Sequence, residues 1–440
     1  MSVFDEEVSV MRRLRCALFL CLVALTAGLA GCGWLWSNPP SDDSVAQSNL
    51  ARDLHPSVSE TDAAALSAGN GAFAFDLYAK AAEGDGNVFF SPFSISSALA
   101  MTYAGARNAT QTQMAGTLHF DLVPTTLHPA FNAVDLALAE RNQLQEPYEG
   151  QGFELTIANA LWGERGFPFS ETYLDTLAAN YGAGLRLADF SGDPEGARFE
   201  INNWVSGATH AKIRDLLPPG SVSDMTRLVL TNAVYFKAPW LRPFDVRDTK
   251  AESFTALSGA PVSVSMMHET LTARYAQLGR VQAVELPYNG DQLSMLLLVP
   301  DVGTFRSFEQ GLDYATYRSI VDALAEHQVH LGLPKFKFDY ALSPVDALRA
   351  LGMTDAFDPA AADFSGIDGA RDLYISNILH KAFVAVDEIG TEAAAATAVV
   401  IGVTSMPGET VTLTINRPFL VVIRDIPTDT ILFLGRVTTP

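Results

Sequence analysis

The chain has 440 residues, of which 48% are hydrophobic and 18% charged, a composition that excludes a wholly disordered protein. Its formal net charge is -21 and no basic stripe occurs, so nucleic-acid binding is disfavoured. All three cysteines, Cys16, Cys21 and Cys32, lie near the N-terminus, so the chain from residue 33 onwards has no disulfide, thiolate metal site or cysteine nucleophile. The length allows one large domain or two to three ordinary ones.

The N-terminal stretch MRRLRCALFLCLVALTAGLAGC has an arginine-rich start, a short apolar run and small residues before Cys32. The run is too short for an ordinary transmembrane span, so the pattern predicts a secretory signal. Its last four residues, LAGC, resemble a bacterial lipobox, which implies that residues 1–31 are a lipoprotein signal peptide and that Cys32 is lipidated. Plain secretion with cleavage nearby is the alternative. The acidic residues 1–10 leave both Met1 and Met11 open as the true start.

Residues 32–61 are rich in proline, serine and aspartate, and we expect them to form a flexible tether after the lipidated Cys32. The lipobox resemblance implies an exported protein, lipid-anchored in the bacterial cell envelope at the outer membrane or cell surface, with an extracellular or periplasmic body. Lipobox processing adds more than one acyl chain, and two chains suffice for stable anchoring. Residues 62–440 show no second linker and no clear repeat, and are predicted to form one domain.

Helix signals are concentrated in the first half of this domain. Helices are predicted over residues 65–83, interrupted or begun at 69–71, and over 91–106, 171–184 and 195–213. Strand signals dominate the second half, as apolar or alternating runs at residues 226–240, 292–301, 330–340, 378–388, 411–415, 418–425 and 430–438. Early helices and late strands predict an α+β fold with large mixed or antiparallel sheets.

No common catalytic motif occurs, because G-x-S-x-G, H-E-x-x-H and the phosphate-binding G-x-x-x-x-G-K are all absent. Among the eight histidines only His327 and His330 are close in sequence, which is weak evidence for a metal site. The simpler interpretation is that these histidines are exposed to solvent or are buried with their ring nitrogens hydrogen-bonded. The sequence therefore disfavours an enzyme, although a catalytic triad can be scattered along a chain without leaving a motif.

Residues 386–407, VDEIGTEAAAATAVVIGVTSMP, have an unusual composition for a surface loop. Every second residue from Thr391 to Ile401 is small or apolar, and no proline occurs before Pro407, so a buried strand is one interpretation. The four consecutive alanines are also strong helix formers, with Thr391 as a suitable N-cap and Glu392 favourable in the first turn. A short helix is the other interpretation, and composition does not decide between them.

Six segments resemble the serpins and occur in the order found in that family. Together they extend across most of residues 62–440, and they are NVFFSPFSISSALAMTYAGA (87–106), LTNAVYFKAPWLRPF (230–244), VELPYNGDQLSMLLLVP (284–300), LPKFKF (333–338), ISNILHKAFVAVDEIGTEAAAAT (375–397) and NRPFLVVIRD with ILFLGRVTTP (416–440). The resemblance implies the α+β serpin fold, with three β-sheets, about eight or nine helices and an exposed reactive-centre loop.

The resemblance also implies four groups of site residues. The hinge of the reactive loop corresponds to Glu388, Gly390, Thr391, Glu392, Ala393, Ala394, Ala395 and Ala396. The shutter beneath the main sheet corresponds to Ser91, Ser94, Ser97, Asn232 and His380. The breach, where loop insertion begins, corresponds to Trp240, Lys335 and Glu388, and we expect an ion pair between the last two. The reactive bond is expected between Thr404 and Ser405.

The chain from this bond to Asn416 looks a few residues longer than in the family, which leaves Val403–Thr404 and Met406–Pro407 as alternative bonds. A threonine or valine before the bond predicts elastase-like or subtilisin-like target proteases, which have a small apolar pocket. No lysine or arginine occurs between residues 388 and 416, so a trypsin-like target is disfavoured.

The function that the resemblance implies is suicide-type inhibition of serine proteases, not enzymatic catalysis. In serpins the cleaved loop inserts into the main sheet as a new strand and traps the acyl-enzyme. Cysteine proteases are a further target class, and we expect a monomer without cofactor or metal. Residues 120–150 lack the basic helix of heparin-activated members, so no heparin dependence is expected. The alternative is a non-inhibitory serpin acting as an envelope binding or structural protein, but such members usually carry bulkier hinge residues.

Overall fold

The computed structural model describes residues 44–143, 153–391 and 410–440. The predicted signal peptide and Cys32 lie outside the described residues. The same holds for the later hinge residues and the reactive bond, namely Glu392, Ala393, Ala394, Ala395, Ala396, Thr404 and Ser405. The described ranges contain the folded body and the hinge as far as Thr391.

The described residues contain ten α-helices, and six of these end before residue 209, so the early concentration of helices is confirmed. They are α1 (Glu60–Ala81), α2 (Pro92–Tyr103), α3 (Asn108–Leu118), α4 (Pro124–Arg141), α5 (Glu171–Tyr181), α6 (Pro194–Ala208), α7 (Phe305–Gln310), α8 (Tyr314–Ala323), α9 (Val345–Ala350) and α10 (Ser365–Asp368). Within these ranges, none of the helices has both the length and the apolar character needed to cross a lipid bilayer.

The described residues also contain sixteen strands and two short 3-10 helices, Val246–Asp248 and Asp355–Phe357. The strands are β1 (Val45–Ala46), β2 (Val88–Phe90), β3 (Glu154–Glu164), β4 (Leu185–Ala188), β5 (Leu228–Pro239), β6 (Lys250–Thr255), β7 (Pro261–Leu278), β8 (Val281–Pro287), β9 (Leu293–Pro300), β10 (Ala325–Pro334), β11 (Phe336–Leu342), β12 (Asn377–Val386), β13 (Gly390–Thr391), β14 (Val411–Thr414), β15 (Phe419–Asp425) and β16 (Thr430–Val437). The α+β fold class is confirmed.

The seven-stranded sheet has the strand order β1-β4-β3-β5-β13-β12-β11. Its two central strands, β5 and β12, are parallel and pair directly at one end, through residues 229–234 and 377–382. At the other end the two-residue strand β13 lies between them and pairs antiparallel with both. The sheet is therefore closed along half of its centre and open, with a third strand entering, along the other half.

The second sheet has nine strands in the order β14-β10-β7-β8-β9-β15-β16-β2, with β6 paired to β7. Strand β7 is 18 residues long and pairs in turn with β6, β10 and β8. Strand β7 therefore joins two groups of strands, β6-β7-β10-β14 and β7-β8-β9-β15-β16-β2, into one continuous sheet. Together with the seven-stranded sheet, these two groups account for the three sheets that the resemblance implied.

Helix α2 lies in the core between the sheets, and all twelve of its residues are buried. It packs against β3 and β5 of one sheet and β16 of the other. The helix begins as predicted from its Ser-Pro sequence, because the Ser91 hydroxyl caps it by accepting a hydrogen bond of 3.3 Å from Ser94 N. The start of α2 is thereby placed beneath the centre of the seven-stranded sheet.

Helix α1 runs without interruption, so the expected break at residues 69–71 is wrong. Its glycines serve close packing instead. A Cβ atom at Gly69 would collide with the carbonyl oxygen of His119, and one at Gly71 would collide with the ring of Tyr314. The helix accepts a cost of about 1 kcal/mol for each glycine because these neighbours approach its backbone directly.

Residues 44–59 lie on the folded body, where the sequence predicts a flexible tether up to residue 61. Strand β1 extends the edge of the seven-stranded sheet by pairing with β4. Arg52 forms an ion pair of 2.6 Å with Asp135 and a hydrogen bond of 2.8 Å to Asn132. The tether prediction is therefore wrong for residues 44–59. The contacts that fix this part of the chain are the pairing of the two residues of β1 with β4 and the ion pair of Arg52, and such contacts cannot be recognised from amino-acid composition.

Candidate functional site

The first two hinge residues occupy the mouth of the opening between β5 and β12. Gly390 lies opposite Pro239, and Thr391 lies opposite both Ala238 and Val386. Thr391 is 1% exposed. Of the two interpretations left open by composition, the buried strand is therefore correct as far as Thr391, and the residues that follow lie outside the described ranges.

A tight turn brings the chain to this position. Asp387 N donates a hydrogen bond of 3.0 Å to Gly390 O, and the Asp387 carboxylate accepts from Ile389 N at 2.9 Å and Gly390 N at 3.3 Å. Burial raises the pKa of Asp387, although these N–H groups act in the opposite direction. Glycine is required after the turn, because a Cβ at Gly390 would collide with Ala238 O and lie 2.7 Å from Pro239 Cα.

Two aromatic residues hold the hinge at the mouth. The hydroxyl of the fully buried Tyr288 lies 2.7 Å from the Thr391 hydroxyl, and burial raises the pKa of Tyr288 so that it keeps its proton. The Tyr288 ring stacks on the predicted breach residue Trp240, with 4.7 Å between ring centroids and 6° between planes. Trp240 Nε1 donates to Asp387 O at 3.0 Å, and Trp240 N donates to Ile389 O at 2.8 Å. The turn and the hinge are thus fixed to the same stack.

Lys335 and Glu388 form the ion pair that the resemblance implied, with Lys335 Nζ 2.6 Å from Glu388 Oε2. Thr249 Oγ1 donates to the other carboxylate oxygen at 2.8 Å, and Phe244 N donates to the backbone oxygen of Glu388 at 2.8 Å. Burial raises the pKa of Glu388, but hydrogen bonds from Lys335 and Thr249 outweigh it, so the net pKa lies below its ordinary value. Glu388 is therefore an ionised residue tied to two other segments of the chain, the one that contains Lys335 and the link between β5 and β6.

A polar network lies in the core where β5 and β12 pair directly. His380 and Asn232 are opposite each other in the parallel register, and His380 Nδ1 donates to Asn232 Oδ1. Ser91 N donates to His380 Nε2 at 3.1 Å. Since Nε2 accepts this bond, the ring proton of neutral His380 is assigned to Nδ1. Burial lowers the pKa of His380 to about 3, so the ring is neutral near pH 7.

The network continues from Asn232 to the neighbouring strand and helix. Asn232 Nδ2 donates to Ser94 Oγ at 2.5 Å and to Asn159 Oδ1 at 2.6 Å. Ser94 Oγ donates to Asn159 Oδ1 at 2.8 Å, and Asn159 Nδ2 donates back to Ser94 O at 3.0 Å. Ser97, the remaining predicted shutter residue, is buried on the same helix. Four elements, β12, β5, β3 and α2, are thus joined by one set of hydrogen bonds.

This arrangement has a chemical consequence for any separation of β5 from β12. Moving the strands apart would break the bond between His380 and Asn232, and each buried group would then need a new partner. The sheet can therefore open at low cost only if an inserted residue supplies a polar side chain at this level.

Comparison with known proteins identifies the family. A family model described as "Serpin (serine protease inhibitor)" matches residues 68–440. The chain belongs to the serpin family. It is 40% identical over 370 residues to an uncharacterized serpin-like protein of Thermococcus kodakarensis, covering 84% of each protein. It is 39% identical over 390 residues to leukocyte elastase inhibitor A of Rattus norvegicus, covering 85% of this chain and 99% of that protein.

Solved serpin structures share the fold. The native-state crystal structure of the thermophilic serpin tengpin has a TM-score of 0.76 at 29% identity, and the match covers 90% of this chain and 98% of that one. The family description, serine protease inhibitor, agrees with the activity class that the sequence motifs implied.

Three residues of this serpin's site were not predicted from the sequence. Asn159 is an amide between alanines in the otherwise apolar stretch 157–162 of β3, which is a detectable signal for a buried polar contact. Tyr288 lies within a segment that resembles the family, but nothing in that segment shows its contact with Thr391. Thr249 leaves no sequence signal, because its role depends on where the link between β5 and β6 passes Glu388.

The histidines of this serpin do not form a metal centre in the described part of the chain. His327 and His330 lie three residues apart on β10, so their side chains point to opposite faces. His327 packs against Tyr275, whereas His330 Nδ1 lies 2.9 Å from the Thr270 hydroxyl. Across residues 44–143, 153–391 and 410–440, no group of three His, Cys, Asp or Glu side chains is placed to hold a metal ion.

Proposed function

We propose that this serpin is a suicide-type inhibitor of serine proteases with an elastase-like or subtilisin-like preference. The protease serine attacks the carbonyl carbon of Thr404 and releases the amine of Ser405, which leaves the loop joined to the protease as an ester. The severed loop then inserts between β5 and β12 before water hydrolyses that ester. Serpin loop insertion is an established example of strand addition that releases stored strain.

The observation that carries this proposal is the position of β13. Gly390 already pairs antiparallel with β5, and Thr391 pairs antiparallel with both central strands. Continuing both registers residue by residue would set Ala393 opposite Phe236 and Val384. The same continuation would set Thr397 opposite Asn232 and His380, which face each other in the intact sheet.

The composition of the loop fits this continuation. Thr391 points into the core, and side chains alternate along a strand, so Ala393, Ala395, Thr397, Val399 and Ile401 would follow it to the same face. The strand residues that they would meet are buried. Small side chains can enter such a space, whereas a charge would lose its hydration without gaining a partner.

The lengths also agree. By the same register Ile401 would lie opposite Leu228, which is the first residue of β5. The central strands can therefore take up the loop almost to the proposed reactive bond at Thr404. At the level of the polar network, the Thr397 hydroxyl would offer a new partner to His380 and Asn232 when their mutual bond is broken.

The energy of insertion is large enough to drive the reaction. Eleven residues from Thr391 to Ile401 would form ladders on both edges and replace the six-residue pairing between β5 and β12. About ten additional hydrogen bonds at about 1 kcal/mol each give a gain of roughly 10 kcal/mol, comparable with the whole stability of a typical domain. The uncut form would then be maintained by a kinetic barrier and not by being the lowest state.

Incubation with pancreatic elastase and with subtilisin tests the function directly. We expect a complex that survives SDS and has the mass of protease plus cleaved inhibitor, and mass spectrometry of the released C-terminal peptide should show Ser405 as its first residue. A peptide beginning at Thr404 or Pro407 would move the bond to one of the two alternatives. Rapid cleavage without any complex would instead support the non-inhibitory interpretation.

We further propose that the protein is exported and anchored in the bacterial cell envelope through lipid on Cys32, as its lipobox-like sequence indicates. The acidic body has no attraction of its own for anionic lipid. A Cys32→Ser variant should therefore leave the membrane fraction and lose the added lipid mass. Retention of that variant in the membrane fraction would contradict the anchor.

A further inference from the structure

A cavity of about 250 Å³ lies between the nine-stranded sheet and residues 240–249, the link from β5 to β6. Trp240, Leu241 and Phe244 of the link form one wall, and Leu271 and Leu286 are among the sheet residues of the other. The space suits a compact ligand with one ring or a branched apolar group, since ordinary ligand pockets begin near this volume.

The link that lines this cavity is the same segment that holds the hinge. Trp240 binds the backbone oxygens of Asp387 and Ile389, and Phe244 N donates to Glu388 O at 2.8 Å. Trp240 and Phe244 each have one side toward the cavity and hydrogen bonds toward the hinge. A molecule in the cavity would therefore contact the reverse side of the wall against which the hinge is fixed.

On the polar side of the cavity, the one buried carboxylate is that of Glu285, and it is compensated internally. Glu285 is 2% exposed, and its carboxylate accepts hydrogen bonds from Arg274 Nη1 at 2.6 Å, Arg424 Nε at 2.8 Å and Ser294 Oγ at 2.8 Å. Two guanidinium groups thus surround one carboxylate. Arg274 is half-exposed, so its remaining N–H groups are available at the cavity.

The rim supplies a second cation. Arg242 is exposed and lines the cavity, and among the described residues no carboxylate pairs with it. Asp291 and Glu326 also lie at the rim, so the field there does not favour a polyanion. One carboxylate on an apolar body matches this lining: Arg242 and Arg274 offer cationic partners for the charge, and Trp240 and Leu286 offer apolar surface for the body.

We propose that this cavity binds a small apolar carboxylate, and that the bound molecule stabilises the link and thereby holds the hinge in its uncut position. The binding site depends only on the cavity. The effect on the hinge rests on the proposed inhibitory function, and requires that the ligand bind the uncut form more tightly than the inserted form.

Calorimetric titration of the intact full-length protein with N-acetylphenylalanine, and separately with its neutral amide, tests the site. We expect one site per chain for the acid with a dissociation constant at or below about 1 mM, and binding of the amide at least about fivefold weaker. The Arg242→Gln variant should lose most of the preference for the acid, because Arg274 then remains as the one cationic partner that the proposal assigns to the ligand. Arg247→Gln is the matched control, because Arg247 belongs to the same link but pairs with Asp245 away from the cavity; it should keep the preference for the acid.

The proposal is overturned if the acid does not bind at about 10 mM, or if Arg242→Gln leaves the preference for the acid unchanged. A second titration addresses the hinge. This titration uses a protease that the serpin has been found to inhibit. Saturating N-acetylphenylalanine should raise the number of serpin molecules consumed per protease trapped at least about twofold in the intact wild-type protein. The same addition should not raise this number in Arg242→Gln. An unchanged number despite proven binding removes the coupling. If the serpin inhibits no protease, the proposed inhibitory function is contradicted. The calorimetric titration would still show whether the cavity binds the carboxylate.

Discussion

The hydroxyl groups of Tyr288 and Thr391 lie 2.7 Å apart in the core, and both residues are almost completely buried. Tyr288 belongs to the turn between β8 and β9 of one sheet, whereas Thr391 is the last described residue of β13 in the other. The hinge is therefore tied to the second sheet before it enters the first. Since Tyr288 also stacks on Trp240, the entry point of the loop is a defined structure that can be altered one residue at a time.

Thr391→Arg should convert the protein from an inhibitor into a substrate. The buried position between β5 and β12 has no room and no counter-charge for a guanidinium group, so the hinge would have to withdraw and insertion would be slowed. The rest of the uncut fold should remain, because β13 contributes only two residues to the sheet. The number of serpin molecules consumed per protease trapped should rise about tenfold or more, as measured by titration of elastase or subtilisin.

Two neighbouring substitutions provide the matched control. Ala393→Arg would place the charge on the core face of the inserted strand, whereas Ala394→Arg would place it on the opposite face. Ala393→Arg should therefore resemble Thr391→Arg, and Ala394→Arg should remain largely inhibitory. Equal effects of the two variants would show that the register continued from β13 is wrong.

Thr397→Val should weaken the cleaved protein specifically. The register sets Thr397 between His380 and Asn232 only after insertion, so the valine would remove the hydroxyl that is expected to satisfy them. The loss should be about 1–3 kcal/mol in the cleaved form. Thermal unfolding of intact and cleaved protein measures it: cleavage should raise the melting temperature of both proteins, and by less in the variant.

Thr410→Val is the control, because Thr410 follows the reactive bond in the chain and is not part of the inserted segment. It should leave the gain in melting temperature on cleavage unchanged. The same measurement on the wild-type protein tests the trapping mechanism itself. If the cleaved and intact forms melted at the same temperature, loop insertion would release no free energy with which to trap a protease.

Most of the fold could be predicted because its strands and helices have strong local signals. The apolar runs of β5, β9, β15 and β16 and the Ser-Pro start of α2 coincide with observed elements to within about two residues. The pairing of Lys335 with Glu388 followed from the family motifs and is present in the structure. These features depend on residues close in sequence or on segments that closely resemble known ones.

The unpredicted features depend on contacts between distant segments. Asn159 meets Asn232 only because β3 and β5 pair in one register, and single-sequence composition does not determine register. Arg52 joins Asp135 across more than 80 residues, which is why residues 44–59 resembled a tether. The cavity beside Arg242 likewise requires the link and the second sheet to be assembled before it exists.

Lys335→Gln should loosen the hinge of the uncut protein. It would leave the Glu388 carboxylate, whose side chain is 7% exposed, with Thr249 as its side-chain partner. A cost of about 1–3 kcal/mol is expected, because the mostly buried charge loses its counter-ion. We expect faster loss of inhibitory activity during incubation at 37 °C, measured by titration against a target protease at intervals.

Two further variants separate the effect of this ion pair from that of lysine removal in general. Lys381→Gln removes a lysine of β12 that pairs at 3.2 Å with the largely exposed Asp339, so it should change the rate little. Exchanging the charges, as Lys335→Glu with Glu388→Lys, should recover part of the lost lifetime. A double variant that decays as fast as Lys335→Gln would indicate that the ion pair is not what retains the hinge.

His380 should make the stability of the protein depend on pH in the acidic range. Burial lowers its pKa to about 3 in the folded protein, whereas an unfolded histidine has a pKa of about 6.5. The unfolded chain therefore binds the proton first, so stability is complete above pH 6.5 and decreases as the pH falls toward 3. Since Nε2 accepts the Ser91 N–H and Nδ1 donates to Asn232, the folded network has no site for a second proton without breaking a hydrogen bond.

At pH 5 the expected loss is about 2 kcal/mol relative to pH 7, from 1.36 kcal/mol for each pH unit below the unfolded pKa. Urea unfolding midpoints of wild type and His380→Gln between pH 7 and pH 4.5 measure this difference. The variant should be less stable at pH 7 but should show a shallower dependence on pH, with the remaining slope including His128, whose pKa burial lowers to about 4. His55→Gln, at an exposed position, should retain the full slope. If the stability of wild type and of His380→Gln depended on pH in the same way, the pH dependence would come from groups other than His380.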